Sequence, residues 1–216
     1  MKLASLYQPA LIAGVAILAM AAGASASTLT FNTNSPGTQF VSPNTGLTLA
    51  NSSGAAATLV FTPDANSVVG VPTNINYGLF TLTCSTCTTL AGGIGSVFSA
   101  FTFDLVITDL TDNATGLFVG TSTGGNVYQD QSQITIHWVP GSLGPGTTGA
   151  TLGNFGSTSF DINTTTRVVE PGSGHYIGVT TVQGDVVGTP EPATFGMIGG
   201  SLIGLGLLRR KIATRT

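Results

Sequence analysis

The sequence contains a serine between glycines that could act as a nucleophile. Positions 120–124 read GTSTG, which matches the G-x-S-x-G pattern, and Asp161 and His175 follow in the Ser…Asp…His order of many hydrolases. That pattern exposes a reactive serine only where a strand turns sharply into a helix. Here the stretch after Gly124 looks like a further strand, so we predict no catalytic residue and no enzyme. A hydrolase remains the alternative, and it requires a reactive Ser122.

A second pattern, at 144–149 (GPGTTG), matches the dinucleotide fingerprint G-x-G-x-x-G, and Glu170 follows about twenty residues later. The fingerprint works only where a helix begins and presents its N-terminus to a pyrophosphate. The residues after Gly149 show no helical period, and Pro145 stiffens the segment. We therefore predict a loop there and no cofactor.

Cys84 and Cys87 are the two cysteines of the chain. A redox dithiol would need a helix to follow, and a zinc site would need two more ligands near by, whereas His137 and His175 lie far away in the sequence. Threonine-rich strand-like residues surround the pair. We predict a structural disulfide, formed in an oxidising compartment, with Ser85-Thr86 as the turn. A redox pair, a metal site and free thiols remain alternatives.

Several oxygen-bearing side chains lie close together in sequence around one predicted hairpin: Asp104, Asp109, Asp112, Asn113 and Asp130. Such residues can hold calcium on an extracellular β-domain, but their spacing is not that of an EF-hand. Asp and Asn also stabilise turns by bonding to their own backbone. We predict no metal, and calcium stays an alternative.

Three aromatic side chains, Tyr128, His137 and Trp138, could form a surface on which a sugar ring stacks. The alternation of apolar and polar residues, however, places Trp138 on the same side as Ile134 and Ile136. That side is expected to face the core, so sugar binding through these residues is the less favoured interpretation.

The elements that must position these residues are predicted to be short β-strands. Phe101, Phe103, Leu105 and Ile107 alternate with polar residues, which is the period of a half-buried strand, and 133–139 repeats the pattern. Glycine- and proline-rich turns separate the strands, and no stretch of the body has a helical period. The fold is therefore predicted to be all-β, an antiparallel, jelly-roll-like β-sandwich. The further predicted strands are Leu29–Asn32, Leu47–Leu49, Ala57–Thr62, Tyr77–Thr83, Gly116–Thr121, Ser157–Ile162, Thr165–Val169 and Tyr176–Val182.

The charge of the chain is low and unevenly placed. Asp, Glu, Lys and Arg make up 7% of the residues, against about 25% in typical soluble proteins. Between residues 27 and 188 a single base, Arg167, stands against eight acids. A body of this charge has no basic patch to neutralise phosphates, so no nucleic-acid partner is expected.

The N-terminus has the pattern of a secretion signal. Lys2 precedes an apolar run from Ala10 to about Ala22, and the small residues 24–26 follow. We predict that residues 1–26 are a signal peptide and that signal peptidase cuts between Ala26 and Ser27. An uncleaved N-terminal membrane helix is the alternative. The domain that follows, 27–188, is expected to lie outside the cytoplasm.

The C-terminus, 189–216, has three parts in a fixed order. Pro190, Glu191 and Pro192 form a stiff, extended tripeptide. Residues 193–208 are 16 uncharged residues, five of them glycine, which is short for a single transmembrane helix of about 20 residues. Arg209, Arg210 and Lys211 would hold the end of that helix on the cytoplasmic side.

This order resembles the PEP-CTERM sorting signal of exported proteins in Gram-negative, exopolysaccharide-producing bacteria. The resemblance is confined to about the last 28 residues. It implies recognition by an exosortase-type membrane protease, transient anchoring through the C-terminal helix, and release to the cell surface or extracellular matrix. We therefore expect a structural component of exopolysaccharide or biofilm, with extracellular polysaccharide as a further partner. A carbohydrate- or calcium-dependent binding module is the alternative.

Overall fold

The computed structural model describes residues 27–43, 45–140, 153–155, 158–172, 174, 176–188 and 199–202. Thr28–Gly188 forms one compact unit. Within the described residues the body consists of sixteen β-strands and one turn of 3-10 helix, Leu90–Gly92. The strands are β1 Ser27–Asn32, β2 Gln39–Ser42, β3 Thr48–Ala50, β4 Ser53–Gly54, β5 Ala57–Pro63, β6 Ser67–Val71, β7 Thr73–Cys84, β8 Ser96–Phe98, β9 Phe101–Asp109, β10 Ala114–Ser122, β11 Gly125–Val127, β12 Thr135–Pro140, β13 Gly153–Phe155, β14 Thr158–Phe160, β15 Thr165–Arg167 and β16 Ile177–Gly188.

The strands form two large sheets and one small sheet. Sheet A has the order β15-β12-β10-β9-β1-β6, and β2 also pairs with β9. Sheet B has the order β13-β14-β16-β7-β5-β3, and β11-β8-β4 form the small sheet. The pairs with a defined register are all antiparallel, which confirms the antiparallel prediction for the described residues.

The alternation read from the sequence is found in the strands. In β9 the side chains of Phe101, Phe103, Leu105 and Ile107 are buried, and those of Thr102 and Thr108 are half-buried. In β12 Ile136 and Trp138 are buried while His137 is exposed. The apolar face of both strands therefore points inwards, as predicted.

Aromatic rings join the inner faces of the two large sheets. The ring centroid of Phe103, in sheet A, lies 4.8 Å from that of Phe61 and 5.2 Å from that of Phe80, both in sheet B. Phe31 of sheet A similarly lies 6.1 Å from Tyr77 of sheet B. These separations are those of packed aromatic pairs. Two antiparallel sheets pack face to face, which confirms the predicted β-sandwich in its general architecture.

A β-bulge interrupts the long pairing between β7 and β16. Leu79 faces Thr181 and Asn76 faces Gln183, so Tyr77 and Gly78 together lie opposite a single residue of β16. Gly78 has φ 130°, and a Cβ there would lie 2.6 Å from the carbonyl oxygen of Thr62. Only glycine fits such a position without strain. The bulge shifts the alternation of β7 by one residue, so that Asn76 before it and Leu79 after it both lie on the outer face opposite outward-facing residues of β16.

The predicted C-terminal transmembrane helix is not supported by the structure. Of the predicted span 193–208, only 199–202 are described, and these four residues are helical. Within the described residues, no helix has the length and apolar character needed to cross a membrane.

Candidate functional site

The predicted disulfide is present between Cys84 and Cys87. Cys84 is the last residue of β7, both cysteines are buried, and the exposed Ser85 and Thr86 form the bend between them. The N–H of Cys84 donates to the carbonyl of Tyr176. The disulfide therefore closes a tight turn at the end of β7, and this hydrogen bond holds the same end beside the start of β16.

The predicted sorting and cleavage residues lie almost entirely outside the described residues. Ser27, predicted to begin the mature chain, is the first residue of β1. The predictions for the tail remain predictions from the sequence. The residues outside the described part are Ala26, Pro190, Glu191, Pro192, Arg209, Arg210 and Lys211.

Ser122 lies at the end of β10, where its side chain is buried. Its Oγ accepts a hydrogen bond of 3.1 Å from the N–H of Gly124, and the chain continues into β11 instead of a helix. Asp161 is exposed, and His175 and the stretch 144–149 lie outside the described residues. The strand-to-helix turn that would present a nucleophilic serine is not formed here.

The carboxylates considered for calcium serve separate turns. Oδ1 of Asp130 accepts a hydrogen bond from the N–H of Leu90, while Asp109 closes the turn between β9 and β10. Within the part of the chain that the structure describes, no three His, Cys, Asp or Glu side chains come together in a group that could hold a metal ion.

Asp109 is a buried carboxylate on the core side of β9. Its Oδ1 accepts hydrogen bonds from the N–H groups of Thr111 and Asp112, at 2.8 and 3.1 Å. Oδ2 is buried and makes no hydrogen bond of ordinary geometry among the described residues, although the Thr158 side chain lies close enough to interact with the carboxylate. Burial raises the pKa of Asp109 above its ordinary value of 3.8, although the two backbone hydrogen bonds and the Thr158 side chain oppose this rise.

We expect stability to depend on the ionisation of Asp109. The folded chain binds a proton on the Asp109 carboxyl more tightly than the unfolded chain does. The free energy of unfolding is therefore highest below the ordinary pKa, where the carboxyl is protonated in both states, and it falls as the pH rises through the pKa of the folded state. Asp109→Asn keeps an oxygen for the two N–H groups and removes the charge. Urea unfolding between pH 3 and pH 7 should therefore show a smaller fall in stability for the variant than for the wild type.

Asp104→Asn provides the comparison, because burial also raises the pKa of this half-buried carboxylate. Asp104 lies on the outer face of sheet A, so we expect its replacement to flatten the pH profile less than Asp109→Asn does. Identical pH profiles for wild type and Asp109→Asn would contradict the prediction.

The three aromatic residues considered for sugar stacking do not share a surface. Trp138 is buried, and its Nε1–H donates to Oγ1 of Thr166 at 2.8 Å, which confirms its predicted place in the core. The ring of Tyr128 packs against Gly95, where a Cβ would lie 2.6 Å from Cε1. His137 is exposed on the outer face of sheet A.

A polar depression of about 420 Å³ lies on the outer face of sheet B, beside the bulge. Asn74 faces Asp185 and Asn76 faces Gln183 across β7 and β16. Asn163 joins this group because its N–H bonds to the carbonyl of Gln183 at 2.9 Å. Two carboxamides on β7, one on β16 and one on the segment beside β16 thus line the same depression together with one carboxylate. No sequence motif indicated this group.

A second depression, of about 500 Å³, lies at the disulfide end of the same face. Thr58, Thr83, Ser85, Tyr176 and Ile177 contribute to its walls, and no charged residue does. The hydroxyls of Thr58 and Thr83 bond to each other at 2.6 Å. Tyr176 is exposed over 39% of its surface, so its ring is accessible from solvent.

Comparison with known proteins identifies no relative of this chain. No protein family, curated protein or solved structure matches it.

Proposed function

We propose that this chain is an exported, non-enzymatic protein that its C-terminal segment directs to the cell surface or extracellular matrix of a Gram-negative bacterium. There its body would be a structural component of exopolysaccharide or biofilm. The observation that carries the proposal is the order of parts in 189–216: the Pro-Glu-Pro tripeptide, the short apolar stretch and the basic cluster. The Cys84–Cys87 disulfide agrees with an oxidising compartment.

Each end of the chain has a separate role in this proposal. Signal peptidase cuts between Ala26 and Ser27, and the apolar stretch 193–208 then holds the chain transiently in the membrane with 209–211 on the cytoplasmic side. The extended Pro-Glu-Pro segment is read on the other side by an exosortase-type protease. The released body would be a jelly-roll-like form of the β-sandwich.

The mass of the mature protein tests this proposal. Intact mass spectrometry of the protein from its native host should show a chain that begins at Ser27 and lacks 195–216. The same protein from a host without exosortase should keep the tail. A mature product that still carries 195–216 in the normal host would contradict processing at this motif.

A second candidate function is binding of polysaccharide by the body. The outer face of sheet B favours it, because two depressions lined by carboxamides, hydroxyls and an exposed tyrosine lie on that face. A matrix protein with such a surface would contact the polysaccharide directly. The calcium-dependent form of this function has no group of converging carboxylates among the described residues.

A further inference from the structure

Five cross-strand pairs on the outer face of sheet B form a continuous row, which we call the outer strip. Each pair joins one residue of β7 to the residue of β16 that lies opposite it, and the row connects the two depressions. At about 3.3 Å per residue, the nine residues 177–185 of β16 give the strip a length of roughly 26 Å. The pairs are Asn74/Asp185, Asn76/Gln183, Leu79/Thr181, Thr81/Val179 and Thr83/Ile177.

One end of the outer strip offers unused hydrogen-bonding groups. The side chains of Asn74, Gln183 and Asp185 are exposed, as is that of Asn163 beside them. None of these four side chains makes a hydrogen bond within the part of the chain that the structure describes. Carboxamides both donate and accept, so this end matches a partner rich in hydroxyl groups.

The other end of the strip presents an aromatic ring in an unfavourable backbone conformation. Tyr176 has φ 57°, in the left-handed region that bulky residues rarely adopt. Gly172 and Gly174, close by, show the positive φ angles expected of glycine. A bulky residue in such a strained conformation, with its ring exposed beside a depression, is a candidate functional residue.

We propose that the outer strip binds one extended chain of a neutral polysaccharide. Sugar rings have apolar C–H faces and hydroxyl edges, and the strip combines Leu, Val and Ile side chains with carboxamides and hydroxyls. Asp185 is its single charged residue and no base lies on it, so an anionic chain would find no partner charge. The proposal rests on the second candidate function and is independent of the tail.

Binding is tested with the purified full chain and defined polysaccharides: dextran, mannan, a soluble β-1,3-glucan and cellulose, with alginate as the anionic comparison. The wild type should bind at least one neutral polymer more tightly than alginate in affinity electrophoresis. The double variant Asn74→Ala, Gln183→Ala should lose about tenfold in affinity, because two hydrogen-bonding side chains are removed.

The control is the double variant Thr121→Ala, His137→Ala, which removes an exposed cross-strand pair from the outer face of sheet A. It should bind as the wild type does. Both double variants should unfold at the wild-type urea concentration, because neither changes a buried side chain.

Tyr176→Gly separates a binding role of the tyrosine from a structural one. Glycine adopts positive φ without strain, so the variant should be at least as resistant to urea as the wild type while losing about tenfold in affinity for the polymer. A destabilised variant with unchanged affinity would assign Tyr176 to packing and remove the aromatic end from the proposal.

The possible results of these binding measurements separate the location of the binding site from polysaccharide binding itself. Undiminished binding in both the Asn74→Ala, Gln183→Ala variant and the Tyr176→Gly variant would overturn the outer strip as the site. It would leave polysaccharide binding by the body in place. A wild type that binds none of the polymers would overturn the proposal together with the second candidate function. Preference for alginate, or self-association that the strip variants abolish, would replace the neutral polysaccharide with another partner.

Discussion

Replacing Phe103 by alanine is expected to lower the free energy of unfolding by about 3–5 kcal/mol, the usual cost of deleting a buried phenylalanine ring. Phe103 is fully buried. Its ring contacts Phe40 at 4.9 Å and Trp138 at 6.2 Å within sheet A, in addition to Phe61 and Phe80 across the core. Loss of the ring leaves a cavity bounded by four aromatic side chains that cannot collapse into it.

Urea unfolding followed by tryptophan fluorescence measures this effect, since Trp138 lies against the deleted ring. Thr102→Ala is the matched control on the same strand, because its half-buried side chain faces away from the core. We expect that change to cost less than about 1 kcal/mol. Equal losses for the two variants would contradict the placement of Phe103 at the centre of the sandwich.

Gly184→Ala is expected to lower the free energy of unfolding by about 3 kcal/mol, since overpacking and lost hydrogen bonds add together. A Cβ on Gly184 would lie 2.0 Å from the carbonyl oxygen of Asp161 and 2.7 Å from the ring of Tyr77. The backbones of Asp161 and Asp185 bond to each other at 2.8 and 3.2 Å, and Tyr77 donates its hydroxyl proton to the same Asp161 carbonyl. The segment at Asp161 would have to move away and break these bonds.

Gly70→Ala is the control for Gly184→Ala. Gly70 is also a strand glycine, but a Cβ there meets no atom within 4 Å, so the change should leave stability within about 0.5 kcal/mol of the wild type. Because Asn163 and Gln183 flank the disturbed backbone, Gly184→Ala should also weaken polysaccharide binding. If the Gly184→Ala protein were as stable as the Gly70→Ala protein, the backbone at Asp161 would not be packed tightly against Gly184.

The sequence predicted the strands whose apolar residues alternate, and it missed the polar ends of the same strands. β7 was expected at Tyr77–Thr83 and spans Thr73–Cys84, while β16 was expected at Tyr176–Val182 and spans Ile177–Gly188. The missing parts contain Asn74, Asn76, Gln183 and Asp185, and such residues are disfavoured in strands by propensity. The one sequence signal for these strand ends was the alternation of the polar residues with the inward-facing Ile75 and Gly184.

Five short strands were also missed: β2, β4, β6, β8 and β13. Most contain serine or glycine, and all of them except β13 are held by a partner strand that is distant in sequence. β2, for example, pairs with β9 more than sixty residues later. Local propensity does not carry that information, because the register of distant strands is set by packing of the whole sandwich.

The candidate site illustrates the same limit. Asn74 and Asp185 meet only because β7 and β16 pair along most of their own length, and the bulge at Gly78 lets residues on both sides of it share the outer face. The disulfide was predictable because its two cysteines are three residues apart. The outer strip was not, because no local pattern brings its two halves together.

The place of β16 in sheet B has a consequence for the order in which the protein can fold. β16 is the last strand of the body in sequence, yet it lies between β14 and β7 inside the sheet. A growing or translocating chain therefore keeps two strand edges unpaired until Gly188 has emerged, and the closing contacts span the longest sequence separations in the domain. Such a topology is slow to fold. If the chain is exported as proposed, this slow folding would keep it unfolded, and so able to be translocated, until its C-terminal strand arrives.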